Sequence, residues 1–384
     1  MKDVTQDIVY SVVGCMLGNQ MTTVTGWQIE PIIYPTVSPN SRGLFRVHGT
    51  ANLAGGIKDW SLVLKVLQAP NTNEMSEPTD SFYWKREALA YQSGLLARLP
   101  DCFSAPQCFG VMERPGNVIW LWLEEIQEMS GVVWHLARYL RAAYHLGYFN
   151  GTYAVPGVLP NDVWLSRGLI RAWVADSAYL VDYIQDTHIW NHPLLQHTRL
   201  PMFTPAILEL WAQRERWFTT LEGLPQTLCH HDIWRKNLLT RSHPQHGDQT
   251  VAIDWEVVGK GAVGEDIGNL IGVSLLNFDI VAADMTAFAA RMLDAYVQGL
   301  RDAGWQADRH VVCAVAQATA ALRCGFSTAG WPAAIVRDSE KRDQYVRDTE
   351  QRWGRSIEDI FAQWAAVTSF LLAQIDEARM ILLA

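Results

Sequence analysis

The chain has 384 residues, with 31 Lys and Arg against 40 Asp and Glu, which gives a formal net charge of −9. Hydrophobic residues make up 49% of the chain and charged residues 18%, so a large apolar core can form and a disordered chain is excluded. The negative charge disfavours nucleic-acid binding through phosphate neutralisation. No apolar run approaches the ~20 residues that span a bilayer. We therefore expect a cytoplasmic protein with no nucleic-acid or membrane partner.

Two residue types in the composition limit the kind of site further. The six cysteines are scattered and include no CxxC pair, which favours reduced, mostly buried thiols over a disulfide or zinc framework. The 17 tryptophans can either pack a helical core or form an aromatic cage for a cation. We favour the packing role for most of them.

The first part of the chain is rich in predicted strands. Alternating or continuous apolar residues predict strands at 44–51, 60–67, about 107–112 and 117–123. Between the second and the third strand, the cap residues Thr79, Asp80 and Ser81 predict the start of a helix that runs to about Arg98. This segment therefore predicts a small sheet with one inserted helix.

The rest of the chain has helical spacing, interrupted by a strand-rich stretch at about 228–256. Helices are predicted at 131–147, 163–184, 204–221, 266–300, 307–325 and 340–382. The fold class is therefore α+β, and we predict an N-terminal lobe at residues 1–125 and a larger helical lobe at 126–384. Neither a low-complexity linker nor an internal repeat marks the boundary.

The stretch LCHHDIWRKNLL at 228–239 contains the pattern His230-x-Asp232-x-x-x-x-Asn237. A second aspartate, Asp254, follows at the end of the next short predicted strand. An Asp and an Asn on one loop can share a site, where the carboxylate faces an incoming hydroxyl and the amide oxygen reaches a metal. Hard oxygen ligands of this kind suit Mg²⁺, which usually keeps waters and substrate phosphates.

These motifs resemble the catalytic and metal-binding loops of the aminoglycoside phosphotransferase and choline kinase superfamily, which is related to protein kinases. Protein kinases have HRDxxxxN and DFG in these loops. Here the loops read HHDIWRKN and Asp254-Trp255-Glu256, without a glycine in the second. The resemblance implies a bilobal protein-kinase-like fold, with a small antiparallel sheet in the N-lobe. It also implies binding of ATP, or another nucleoside triphosphate, with Mg²⁺.

Lys65 and Glu87 are the expected nucleotide-binding pair. Lys65 lies inside an apolar predicted strand, where an unpaired ammonium is costly, and Glu87 on the following helix is the natural partner. The resemblance implies that this pair holds the α- and β-phosphates. Taken one at a time, the two residues could equally be a strand lysine that reaches water and a surface glutamate.

The predicted phosphate loop departs from the GxGxxG pattern, because residues 37–43 read VSPNSRG. Ser38, Asn40 and Ser41 could present hydroxyl and backbone N–H groups to phosphates, or they could form an ordinary turn. The resemblance implies that the segment after the 117–123 strand is the hinge between the lobes, where Glu124 and Ile126 would contact adenine through their main chains. A plain connection between the lobes explains these two residues as well.

The remaining roles follow from the resemblance. Asp232 is the expected catalytic base, and Asn237 and Asp254 are the expected Mg²⁺ ligands. His230 is expected to orient the catalytic loop. Arg235 could neutralise the transferred phosphoryl group, or it could form a solvated basic pair with its neighbour Lys236.

The resulting hypothesis is an ATP-dependent O-phosphotransferase that acts on a hydroxyl of a small molecule, which is cationic or bears an amine. One alternative is a kinase-like pseudoenzyme that binds a nucleotide or a partner without transfer. A less favoured alternative is a metal-dependent phosphohydrolase, with ligands drawn from His188, His192, His197 and the 230–232 segment.

Overall fold

The computed structural model describes residues 3–18, 23–33, 41–54, 56–71, 75–129, 134–243, 247–306 and 308–384. The chain divides into two units. The sheet unit contains Met1–Gly131, Asp162–Leu165 and Leu239–Val258. The helical unit contains Val132–Asn161, Ser166–Leu238 and Gly259–Ala384. The sheet unit therefore includes two segments from later in the chain, 162–165 and 239–258, and the second of these contains Asp254.

The main sheet of the sheet unit has five antiparallel strands in the order β1-β2-β3-β6-β5. Their bounds are β1 Thr23–Ile32, β2 Ser41–Leu53, β3 Gly56–Gln68, β5 Cys108–Arg114 and β6 Val118–Glu124. Helix α1 (Gln6–Met16) packs its buried valines against one face of this sheet, with Leu62, Leu64 and Trp122 among the core residues. This face forms the core of the unit because every second side chain of β3 from Trp60 to Val66 is apolar and buried.

The other face of the sheet carries Lys65. Side chains alternate between the faces of a strand, so Lys65 points away from the α1 core that its neighbour Leu64 joins. Lys65 pairs with Leu44 on β2 and with Leu121 on β6. The sheet therefore presents one lysine among apolar neighbours on the face opposite α1.

A smaller sheet in the sheet unit leads into the segment that contains Asp254. Its order is β4-β10-β9, with β4 at Phe103–Ser104, β9 at Leu238–His243 and β10 at Gly247–Ala252. Helix α2 spans Arg86–Gln92. Asp254 lies two residues after the end of β10. The β9–β10 hairpin therefore determines the position of Asp254.

The helical unit contains most of the helices and one small sheet in the order β7-β11-β8. Its helices are α3 Leu136–Ala154, α4 Leu169–Ala175, α5 Ala178–Gln185, α6 Pro193–Gln196, α7 Leu200–Ala212, α8 Arg214–Gly223, α9 Glu265–Leu276, α10 Met285–Asp302, α11 Arg309–Arg337, α12 Arg342–Trp353 and α13 Ile357–Leu382. Its strands are β7 Ser166–Arg167, β8 Gln226–Cys229 and β11 Gly259–Ala262.

Helix α11 lies at the centre of the helical unit. Within the described ranges, it is the one helix long and apolar enough to cross a membrane, but 72% of its apolar window is buried inside the protein. It packs against α9 and α13, among other helices. Its apolar character is therefore that of a core helix.

The predicted α+β class is confirmed, with an antiparallel sheet in the N-terminal part and mostly helices in the C-terminal part, but several predicted elements need correction. The predicted helix that starts at 79–81 begins only at Arg86, because residues 79–84 form turns. The predicted 266–300 helix is two helices, separated by a break that includes Phe278 at φ 62°. The predicted 340–382 helix is also two, because Gly354 ends α12 in the left-handed region. Helix α1 and strand β1 were not predicted.

Candidate active site

Lys65 is held between two carboxylates in the sheet unit. Its Nζ lies 2.5 Å from Oε2 of Glu87 and 2.6 Å from Oδ1 of Asp254. The Lys65 side chain is 8% exposed and the Glu87 side chain 1%, whereas 30% of the Asp254 side chain remains accessible. The sequence places these residues far apart, and the fold brings all three together around one ammonium group.

The charges around Lys65 keep it protonated. Burial lowers the pKa of Lys65, but the charges of Asp254 and Glu87 outweigh burial, so its pKa is raised above the ordinary value. The Glu87 carboxyl is the more deeply buried partner, and burial raises its pKa while Lys65 opposes that shift. The arrangement provides a fixed cation with one carboxylate open to solvent.

The segment after β10 is tied directly to this cluster. The backbone N–H of Trp255 donates to Oε1 of Glu87 at 3.4 Å, and its indole N–H donates to the carbonyl of Ala252 at 2.8 Å. Asp254 itself has φ 67°, a left-handed conformation that few residues other than glycine adopt. The buried Trp255 ring therefore holds Asp254 in an unusual backbone conformation beside Lys65, as is common at functional sites.

Arg86, which the sequence analysis missed, connects four parts of the sheet unit. Its fully buried guanidinium donates to the carbonyls of Trp164 at 2.7 Å, Ser81 at 2.7 Å, Asp80 at 2.5 Å and Glu256 at 3.2 Å. Burial lowers its pKa to about 10. Since Arg86 begins α2 beside Glu87, these bonds fix that helix relative to the Asp254 segment.

The catalytic-loop motif lies in the helical unit and is anchored by Asp266. The backbone N–H groups of His230 and His231 donate to the Asp266 carboxylate at 3.0 and 2.8 Å. Asn150 donates to the same carboxylate at 3.1 Å and to the carbonyl of Leu228 at 2.9 Å. All these groups are buried, so a complete hydrogen-bond network sets the path of the loop.

Within the loop, Asp232 and Asn237 are in direct contact. The Asn237 side-chain amide donates to Oδ2 of Asp232 at 2.8 Å and to its carbonyl at 3.0 Å. Nδ1 of the buried His230 accepts a bond from the Asp232 N–H at 3.3 Å. Asn269 on α9, which the sequence analysis also missed, donates to the carbonyls of His231 and Ile233, both at 3.0 Å. The loop therefore fixes the Asp232 carboxylate while leaving its side chain half-buried.

Two buried carboxyls at the start of α9 lead to a pH prediction. Burial raises the pKa of Glu265 to about 8 and that of Asp266 to about 6. The folded state thus holds these protons at pH values where the unfolded chain has released them. The free energy of unfolding should therefore fall as pH rises from about 4.5 to 8, by up to about 1.4 kcal/mol per pH unit for each carboxyl that titrates.

Glu265→Gln should flatten this dependence between pH 6 and 8, because the amide does not titrate there and its oxygen can still accept the Ala262 N–H. The measurement is urea unfolding at a series of pH values. Asp294→Asn, at an exposed position, is the control and should leave the curve unchanged. An equally steep curve for Glu265→Gln would contradict the assignment.

Two other predicted site residues, Arg235 and Glu124, form ion pairs in the structure. Arg235 faces Asp279, with Nε 3.7 Å from Oδ1, so its charge is already partly compensated. The backbone N–H of Glu124 donates to Gln107, and its carboxylate pairs with Arg241 at 2.7 Å.

Four more of the predicted residues concern nucleotide contacts. Ile126 is half-buried after β6, and Ser41 is half-buried at the start of β2. Ser38 and Asn40 lie outside the described residues. These contacts therefore stay predictions.

Each of the two predicted metal ligands offers the kind of donor atom that a magnesium ion accepts. The Asn237 amide nitrogen faces Asp232, which leaves the amide oxygen Oδ1 for a metal. Asp254 engages Lys65 through Oδ1. Carboxylate and amide oxygens are ligands that Mg²⁺ accepts.

A histidine-rich metal centre finds less support. We looked in the described ranges for clusters of at least three His, Cys, Asp or Glu side chains that could bind a metal. One such cluster is present, formed by Cys229, His231 and Asp266. Asp266 already accepts three hydrogen bonds there, and burial raises the pKa of the Cys229 thiol well above its usual value. None of the three histidines at 188–197 belongs to this group.

The family comparison agrees with the loop geometry. Residues 175–311 match the model of a family described as the phosphotransferase enzyme family. The predicted resemblance to this family is confirmed. The phosphotransferase match includes Asp232, Asn237 and Asp254, but it does not reach Lys65 or Glu87. The argument for a role of these two residues therefore rests on their contacts in the structure. No curated protein matches the sequence.

Solved phosphotransferase and kinase structures resemble the chain over most of its length. An amicoumacin kinase is 12% identical, with 92% of this chain and 95% of that chain covered and a TM-score of 0.48. An aminoglycoside phosphotransferase from Alicyclobacillus acidocaldarius is 16% identical, with 92% and 93% covered and a TM-score of 0.49. A choline/ethanolamine kinase family protein from Mesorhizobium loti is 12% identical, with 94% and 99% covered and a TM-score of 0.45.

Proposed function

We propose that the protein is a cytoplasmic ATP-dependent O-phosphotransferase that moves the γ-phosphoryl group to a hydroxyl of a small molecule. The observation that carries this proposal is the buried Lys65 between Glu87 and Asp254, at 2.5 and 2.6 Å. A buried ammonium with an accessible carboxylate beside it suits a metal-bound triphosphate. The phosphotransferase family match over the catalytic loop supports the same reaction class.

Each residue has a proposed role in the reaction. Lys65, positioned by Glu87, binds the α- and β-phosphates. Asp232 orients the acceptor hydroxyl and accepts its proton as the new P–O bond forms and the bond to the leaving ADP breaks. Asn237 and Asp254 would hold Mg²⁺, which supplies charge neutralisation at the phosphate oxygens when bound.

A pseudoenzyme that binds nucleotide without transfer is the second candidate. The pairing of Arg235 with Asp279 favours it, because that cation is not free for the transferred phosphoryl group. Release of ADP from Mg-ATP that depends on an added hydroxyl compound separates the two candidates. We expect such release with at least one member of a broad library of hydroxylated metabolites. Tight Mg-ATP binding without any acceptor-dependent turnover would favour the pseudoenzyme.

Asp254→Ala should weaken Mg-ATP binding by about 10-fold or more, because metal sites commonly lose 10–100-fold in affinity even when only a supporting residue is changed. The measurement is calorimetric titration of Mg-ATP, repeated with ATP in EDTA. Asp248→Ala, at an exposed position on β10, is the matched control and should bind as the wild type does. Unchanged Mg-ATP affinity of the Asp254 variant would refute its proposed metal role.

A further inference from the structure

A cavity of about 460 Å³ lies on the α1 face of the main sheet, opposite the face that carries Lys65. Apolar side chains of three adjacent strands form its floor, namely Phe45 of β2, Val66 of β3, and Val118 and Trp120 of β6. Val66 and Trp120 are directly paired across β3 and β6, and both are buried. The cavity therefore extends the apolar core beneath α1, and its size is typical of small-molecule sites.

Arg114 of β5 forms one wall of this cavity. It is paired with Val118, and its guanidinium carbon lies 4.6 Å from the ring centroid of Trp120. A guanidinium held over an aromatic ring by a cation–π interaction keeps the N–H groups in its plane able to donate. In the part of the chain that the structure describes, Arg114 forms neither an ion pair nor a hydrogen bond. This wall therefore presents a positioned cation with unused donors.

A β-bulge directs a second arginine, Arg42, to the same cavity. In a regular strand, Arg42 would share a face with Leu44, away from the cavity. The pairing of β2 with β3 shifts between Ser41 and Gly43, so Arg42 is the extra residue of a bulge and lines the cavity together with Phe45. Gly43 has φ 150°, a conformation that residues with a side chain rarely adopt. Bulges commonly redirect a side chain in this way.

The charges around the cavity indicate what it could bind. Besides the guanidinium groups of Arg42 and Arg114, the described lining includes one carboxylate, that of Asp3, three residues before α1. Two cations and one anion leave a net charge of +1, which a single anionic group would balance. A carboxylate suits this position because guanidinium groups bind it through parallel N–H donors. The apolar floor would then cover the rest of the ligand.

We propose that this cavity binds a small carboxylic acid with an apolar aliphatic or aromatic body. The carboxylate would pair with Arg42 and Arg114, and the body would lie over Val66 and Val118. Successive side chains of β3 point to opposite faces, so the sheet separates Val66 from Lys65. The acid site is therefore distinct from the proposed nucleotide site, and binding of the acid does not depend on the proposed phosphotransferase function.

The test is calorimetric titration of the 384-residue chain with octanoate and 4-phenylbutyrate, with their primary amides, and with acetate. At least one of the two acids should bind about 10-fold or more tightly than its amide, as expected for charge-assisted hydrogen bonds. Acetate should bind much more weakly than that acid, because it has no apolar body to cover the floor. The same titrations in saturating Mg-ATP should still show binding of the acid.

Two arginine variants test the anion contacts, and a third variant tests the floor. Arg114→Met should lower the affinity for the acid by about 10-fold or more and change that for the amide little, because Met keeps an apolar side chain at Trp120 without the charge. Arg42→Met, at an exposed position, should have the same effect and covers the case in which the first variant folds poorly. Val118→Phe should weaken binding of the acid and the amide alike, because the larger ring fills the floor.

Arg352→Met is the matched control, because Arg352 also lies over a tryptophan, with its guanidinium carbon 5.2 Å from the ring centroid of Trp353. It should bind the acid as the wild type does. Absence of binding of both acids, equal affinity for acids and amides, unchanged acid affinity in both Arg114→Met and Arg42→Met, or displacement of the acid by Mg-ATP would overturn the inference. Selective binding of the acid by a chain that transfers no phosphoryl group would support the acid site and refute the proposed function alone.

Discussion

Asp232→Asn should lower kcat by about 10³-fold, within the range that a general base contributes to proton transfer. The amide cannot accept the proton of the acceptor hydroxyl, yet it has nearly the same size as the carboxylate. Asn237 can still donate to the remaining oxygen, and the backbone bonds from His230 and His231 to Asp266 are unaffected. The loop should therefore keep its path, and Mg-ATP affinity should change little. The measurement is steady-state turnover with the best acceptor, together with a Mg-ATP titration.

Asp182→Asn, an exposed position on α5, is the control for this substitution and should retain full activity. The pH dependence of kcat offers a second check. If Asp232 is the base, the residual activity of Asp232→Asn should no longer fall at acidic pH, because no carboxylate at this position has to lose its proton. Activity of Asp232→Asn within a few fold of the wild type would remove Asp232 as the base.

Lys65→Met should lower both stability and activity. Removing the ammonium leaves Glu87 as an uncompensated buried carboxylate, and breaking a buried pair in this way costs about 3–5 kcal/mol. Loss of a cation at the phosphates should also lower kcat/KM for Mg-ATP by about 10²–10³-fold. The measurements are urea unfolding and steady-state kinetics on the same preparation. Lys58→Met, an exposed position on the same strand, is the control and should change neither quantity appreciably.

The double variant Lys65→Met/Glu87→Gln separates the two effects. Replacing both charges removes the unpaired carboxylate, so much of the lost stability should return. Activity should not return, because the phosphate-binding cation is still missing. Recovery of activity in the double variant would show that Lys65 acts only by stabilising the fold.

The sequence predicted the parts of the site that depend on local rules. A lysine in an apolar strand needs a partner, and this argument identified Glu87, which pairs with Lys65 in the structure. The spacing from Asp232 to Asn237 likewise predicted two side chains that share one loop. Asp254 was found because a polar residue follows a short apolar strand, a pattern typical of site residues.

Other parts depend on contacts between distant segments and left no local signal. Arg86 is charged and begins a short helix, a position that is normally exposed, and only the fold shows its four backbone partners. Asn150 and Asn269 lie within helical stretches, where a buried amide has no sequence pattern of its own. Gly354 did carry a signal, since glycine favours helix ends, and the predicted single helix overlooked it.

The four bonds of Arg86 also bear on how the nucleotide site could be controlled. In protein kinases, the lysine–glutamate pair and the metal aspartate must both be in place, and regulation works by moving the helix that carries the glutamate. Here Arg86, the residue next to Glu87, ties its helix to the backbone at Glu256, two residues beyond Asp254, the proposed metal ligand. A swing of α2 would leave a buried guanidinium without its acceptors. The four bonds therefore hold Glu87 and the Asp254 segment together, and the proposed nucleotide site needs no separate signal to assemble.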